Sequence, residues 1–94
     1  MPIDIDIVGN PGSGKTTKAL QMIETFSAKG LSVFLDDGEL SPYTGIYIKG
    51  ELVSKFCANH PPPDVHIKCM HSIKGHRPLA TVYRLFGGTQ HGTP

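Results

Sequence analysis

Gly9, Gly14, Lys15 and Thr16 occupy the fixed positions of the pattern G-x-x-x-x-G-K-[ST], with Asn10, Pro11, Gly12 and Ser13 between them. Glycine has no Cβ, so Gly9, Gly12 and Gly14 let the backbone take positive φ angles and turn successive N–H groups around an anion. The chemistry implied is the cradling of a phosphate chain. Lys15 can reach the β and γ phosphates, the Thr16 hydroxyl is suited to Mg2+ beside them, and Thr17 falls next to the α phosphate. The plainer alternative is a glycine-rich turn that only joins two elements. The flanks argue against it: an apolar-leaning run over residues 3–8 leads into the loop, and a helix-period stretch over residues 15–28 leads out. That helix would aim its unpaired N–H donors and its positive dipole end at the same anion.

Phosphoryl chemistry with Mg2+ can also draw on an acid. Asp36 and Asp37 follow the next apolar run, and an acid at a strand end beside such a loop can hold Mg2+ through water or accept a proton from an attacking hydroxyl. Either role requires approach to Lys15 and Thr16. Otherwise Asp36-Asp37-Gly38-Glu39 is a polar turn.

The elements that must position these groups can be read from periodicity. Ile3, Ile5 and Ile7 alternate with Asp4 and Asp6, which gives a strand with one apolar face and one carboxylate face. A strand covered on both sides would read as a continuous apolar run, so the carboxylate face is expected to be uncovered or covered by something polar. Ala19, Met22, Ile23 and Phe26 form a helical stripe that closes on Gly30, a natural left-handed cap. Residues 31–35 read as a second, parallel strand, residues 46–49 as a further short strand and residues 50–59 as a short helix stopped by the prolines at 61–63. Residues 65–70 alternate again and read as a strand, residues 72–78 as a basic loop and residues 79–86 most simply as a last strand, with a short helix as the alternative. The expected fold is α/β: a small, mostly parallel sheet with a β-α-β core around the loop, in two or partly three layers.

Ninety-four residues suit one domain, taken as residues 1–86, with residues 87–94 as a flexible tail that carries no core-forming side chain. No long apolar run and no secretory-type leader is present, so a cytoplasmic location without membrane contact is expected. Net charge is +1, but unevenly spread. Up to residue 45 six acids face three lysines, whereas from residue 46 six lysines and arginines face Glu51 and Asp64, with all five histidines. The basic half could meet nucleic acid or an acidic partner, or be an ordinary solvated surface.

At residues 9–17, followed by Val33-Phe34-Leu35-Asp36-Asp37, the chain resembles the P-loop NTPase superfamily over about its first 40 residues. The acid directly after the second strand looks more like the small-molecule kinases, such as adenylylsulfate or nucleotide kinases, than the ATPase motors. The resemblance implies ATP or GTP with Mg2+ held by residues 9–17 as a Walker A loop, Thr16 and Asp36 at the metal, and Lys15 with Asp36 or Asp37 in slow hydrolysis or phosphoryl transfer. Two departures stand out. The strand at 65–70 runs into His71-Ser72 where many members carry a second magnesium acid, and only Lys74, His76 and Arg77 could serve as a lid. The sequence therefore leaves room for a non-catalytic nucleotide or phosphate module acting on a protein or nucleic-acid partner, or for one subunit of an assembly that uses the open sheet face.

Cys57-x-x-His60 and Cys69-x-His71 offer zinc ligands at a spacing that fits no common knuckle, and core packing is the better reading of Cys57. No Ser-His-Asp or Cys-His order supports a covalent enzyme intermediate.

Overall fold

The alternating isoleucines form β1 (Ile3–Gly9), and the loop after it opens into α1 (Lys15–Ala28). The computed structural model describes residues 3–10, 12–38, 40–54, 62–71 and 80–85. Ala19, Met22 and Ile23 are buried on the sheet side of α1, as the stripe requires. The helix ends in a Schellman turn: Gly30 takes φ +80, its N–H donates to Ser27 O, and the Leu31 N–H donates back to Phe26 O. Phe26 and Leu31, the residues joined by the second of these bonds, both pack against the core.

The chain continues through β2 (Val33–Asp36), β3 (Gly45–Ile48), β4 (Glu51–Ser54), β5 (Val65–Met70) and β6 (Thr81–Leu85). These six strands make one sheet in the order β4-β3-β2-β5-β1-β6. β5 runs parallel to both β1 and β2, β6 runs parallel to β1, and β3 and β4 are antiparallel additions beyond β2. The protein is thus α/β, a mixed, mostly parallel sheet with one helix on it, and two layers among the described residues. No described helix is long and apolar enough to cross a membrane.

The expected helix at 50–59 is corrected over its first part, where residues 51–54 are a strand. Lys49 at φ 53 and Gly50 at φ 83 put two consecutive positive angles between Ile48 and Glu51, the signature of a type I′ hairpin turn. That turn folds the chain back on β3 before a helix can start. Residues 55–59 lie outside the described residues, as do the basic loop at 72–78 and the tail at 87–94.

α1 lies over β1, β5, β2 and β3. Ile7, Val33, Leu35, Val65 and Ile67 beneath it are fully buried. Each such aliphatic side chain contributes about 1.5–3 kcal/mol relative to exposure. At the lower end, Asp64 joins three strands. Its carboxylate accepts the Ser32 N–H at 3.0 Å, its N–H donates to Ser32 Oγ at 3.1 Å, and its carbonyl accepts the Ile3 N–H at 2.9 Å. This fixes where β1, β2 and β5 begin.

The opposite sheet face carries Asp4, Asp6, Phe34, Asp36, His66 and Lys68. It is closed at its centre, where Asp6 has no exposure, while Asp4, His66 and Lys68 are half-buried. The register sets Lys68 between Asp6 of β1 and Asp36 of β2, and Phe34 meets His66 edge to face at 5.0 Å.

Candidate functional site

β1 delivers Gly9 to the upper edge of the sheet, and the chain then turns by a bond from the Ser13 N–H to Asn10 O at 3.0 Å. Gly12 and Gly14 take φ +79 and +93, angles that suit glycine. Gly9 is constrained differently: a Cβ there would lie 2.3 Å from Ser13 Oγ and 3.2 Å from both the Cβ and the carbonyl of Leu85. The loop folds over its own first residue, leaving no room for a side chain. Ser13 Oγ is buried with no hydrogen-bond partner among the described residues.

Gly14 is also the N-cap of α1. It supplies no capping side chain, and no acid stands in the first turn, so neither device that ordinarily occupies a helix N-terminus is used here. The Lys15 ammonium bends over the loop and donates to Gly9 O at 2.9 Å and Asn10 O at 3.0 Å, which uses two of its three N–H donors.

The loop meets the second acid of the pair. Thr16 Oγ1 donates to Asp37 Oδ2 at 2.8 Å, across 21 residues of sequence. Strand alternation explains the choice: Asp36 ends β2 on the face away from α1, in register with Lys68, and Asp37, one residue on, returns to the loop side. The Asp36 carboxylate accepts the Gly38 N–H at 3.3 Å, a local turn bond, and no described bond links it to Thr16. Thr17 is exposed on the first turn, and Pro11 lies outside the described residues.

Three groups around Asp37 carry no motif in the sequence. Ser41 Oγ donates to Asp37 Oδ2 at 2.8 Å, and Thr44 Oγ1 accepts the Asp37 N–H at 3.0 Å while donating to Gly38 O at 2.7 Å. Together they lock the segment after β2 around the acid. The third group is Cys69, from the strand between β1 and β2, whose Sγ lies 3.9 Å from Lys15 O. Burial first, then the charge and hydrogen bonding of Asp37, push its thiol up to about 12, so it is a neutral donor and not a thiolate nucleophile. Tyr47 closes the far side of the cluster. Its hydroxyl donates to Tyr43 O at 2.6 Å and is itself raised, chiefly by burial and then by Tyr43 and Asp37. Ser41 and Thr44 had a local signal, being hydroxyl residues shortly after Asp-Asp-Gly where side chain to backbone bonds are common. Cys69 had only its place on the apolar side of the β5 alternation.

Among the described residues no group of three or more His, Cys, Asp and Glu is set to hold a metal, and Cys57, His60, Lys74, His76 and Arg77 lie outside them. The donor set that is present, one hydroxyl joined to one carboxylate beside a phosphate-type loop, suits Mg2+. That ion keeps several waters and draws on one or two protein oxygens plus phosphate. Comparison with models of known protein families, with curated proteins and with solved structures finds no match.

Proposed function

We propose that the protein binds a nucleoside triphosphate, ATP or GTP, with Mg2+ and supports slow hydrolysis or phosphoryl transfer. The observation that carries this reading is the 2.8 Å bond from Thr16 to Asp37, which sets a loop hydroxyl and a strand-end acid side by side beneath the first turn of an uncapped helix. With its proton directed to Asp37, the Thr16 oxygen keeps its lone pairs for a cation. The loop amides and the helix N-terminus would take the phosphate oxygens. Lys15 would move its ammonium from the loop carbonyls to the phosphates. Mg2+ held by Thr16, Asp37 and the phosphates would neutralise charge on the transferring group. Asp37 rather than Asp36 is the metal-side acid in this reading.

The experiment is calorimetric titration of ATP, GTP, ADP and inorganic phosphate with Mg2+, on the wild type and on Lys15→Ala, Asp37→Asn and Asp36→Asn, with phosphate release followed in parallel. Lys15→Ala should abolish binding. Asp37→Asn should remove most of the Mg2+ dependence, and Asp36→Asn should leave it in place. No binding of any of the four ligands would sink the reading.

A second reading has one observation in its favour. β4 ends the strand order, and Leu52 and Val53 on it are 38% and 46% exposed, an apolar edge that suits a protein partner or a second copy. In that case the nucleotide would be bound without phosphate release, and the mass of the particle in solution would change with the ligand.

A further inference from the structure

Gly14, Lys18, Gln21 and Thr25 are spaced by four, three and four residues, which keeps them in line down one flank of α1. The upper end of that line is the N-cap at the loop. Its lower part walls an open cavity of about 290 Å³ between α1 and β6, floored by Ile5, Met22 and Phe26 and flanked on the outer side by Tyr83. Tyr83 is in register with Ile7 and so stands on the helix side of the sheet, 41% exposed, with the Lys18 ammonium 5.8 Å from its ring centre.

The distances tie this cavity to the loop. Lys18 lies one helical turn, about 6 Å, below Gly14. Tyr83 lies two residues, about 7 Å, below Leu85, the residue paired with Gly9. Along the helix axis Gln21 and Met22 lie about 10–12 Å below Gly14, a span for ribose and base together when the phosphates occupy the loop. The cavity sits at the lower limit of ordinary small-molecule sites, too small for a whole nucleotide and suited to one ring system.

We propose that this cavity is the base-binding half of the nucleotide site, a proposal that rests on the reading that the loop holds the triphosphate. The aromatic face of Tyr83 stacks on the nucleobase, and Met22 and Phe26 supply the apolar surface beneath it. The Gln21 amide, which carries a donor and an acceptor in one plane, meets the hydrogen-bonding edge of the base. The Lys18 ammonium, which lies over the Tyr83 ring 5.8 Å from its centre, would swing toward the loop to admit the base and meet the α phosphate.

The test compares ATP with inorganic tripolyphosphate, each with Mg2+, by calorimetry on the wild type and on Tyr83→Ala, Tyr83→Phe and Gln21→Ala. The wild type should bind ATP more tightly than tripolyphosphate. Tyr83→Ala should weaken ATP about ten-fold and leave tripolyphosphate unchanged, Tyr83→Phe should keep the wild-type preference, and Gln21→Ala should weaken ATP alone. If tripolyphosphate binds but ATP binds no better, or if neither Tyr83→Ala nor Gln21→Ala alters the ratio of the two affinities, the base does not lie here. If tripolyphosphate fails to bind as well, the loop reading itself falls and takes this proposal with it.

Discussion

Thr16→Val and Asp37→Asn, made singly and together, measure the bond on which the site depends. The bond is 2.8 Å long, partly buried, and accepted by a carboxylate. Hydrogen bonds to charged groups contribute about 1.5–3 kcal/mol. The lower part of that range applies here, because Asp37 Oδ2 also accepts Ser41 Oγ at 2.8 Å and keeps one partner when Thr16 is removed. The expected coupling energy is therefore about 1–2 kcal/mol, against the ~0.3–0.5 kcal/mol within which unconnected sites add. Urea denaturation followed by circular dichroism gives the four stabilities. In a domain of this size each kilocalorie should also appear as a fall in Tm of roughly 4–8 °C. Coupling below about 0.5 kcal/mol would mean that loop and acid are independent in solution, and the metal-site argument would fail with it.

Removing the thiol tests the same cluster by pH. Because the Cys69 thiol is pushed from 9.0 up to about 12 in the folded protein, the unfolded chain loses that proton first, and stability should fall as pH rises between those values. Cys69→Ala should lack this component when urea midpoints are compared from pH 8 to 10.5, and an identical pH dependence would refute the burial argument. Gly9→Ala should weaken anion binding, since Ser13 Oγ stands 2.3 Å from the added carbon, and Ser13→Ala in the same chain should restore part of it; calorimetry of tripolyphosphate reads both. At the end of α1, Gly30→Ala places a side chain at φ +80 and should cost about 1–2 kcal/mol by urea denaturation. Lys49→Asn should raise Tm slightly, because asparagine accepts the left-handed angle of the hairpin turn better than lysine does.

What could be read in the sequence was local. The isoleucine alternation, the stripe from Ala19 to Phe26 and the Gly30 cap each repeat at the period of the element they form, so β1, the loop and α1 were legible as a unit. Residues 51–54 were not, because Glu51-Leu52-Val53-Ser54 is too short to show a period. The decision lay instead in a turn that holds a lysine at φ 53, an angle that hairpin pairing imposes. The choice between Asp36 and Asp37 depended on whether β2 ends at residue 35 or 36, since one residue reverses the face on which a carboxylate stands. Cys69 reached the site through strand order, a non-local property that no spacing in the chain encodes. The burial of Asp6 was likewise unreadable, because an alternating strand shows which residues share a face but not what covers that face.

The strand order has a consequence for how the site comes into being. Every candidate residue of the loop and its acid lies between Gly9 and Asp37, yet β1 and β2 never pair with each other; β5 stands between them and pairs with both. During synthesis the stretch that holds the candidate site is made first and must wait for residues 65–70 before its two halves have a common frame. A fragment ending near residue 45 would contain every group from Gly9 to Thr44 named at the site but lack the spacer that sets Thr16 against Asp37, so it should neither fold nor bind phosphate. Adding a separate peptide spanning 62–85 is the complementation most apt to rescue it. Closing a gap of this sequence length is entropically slow, so assembly of the site, rather than formation of α1, should limit the folding rate.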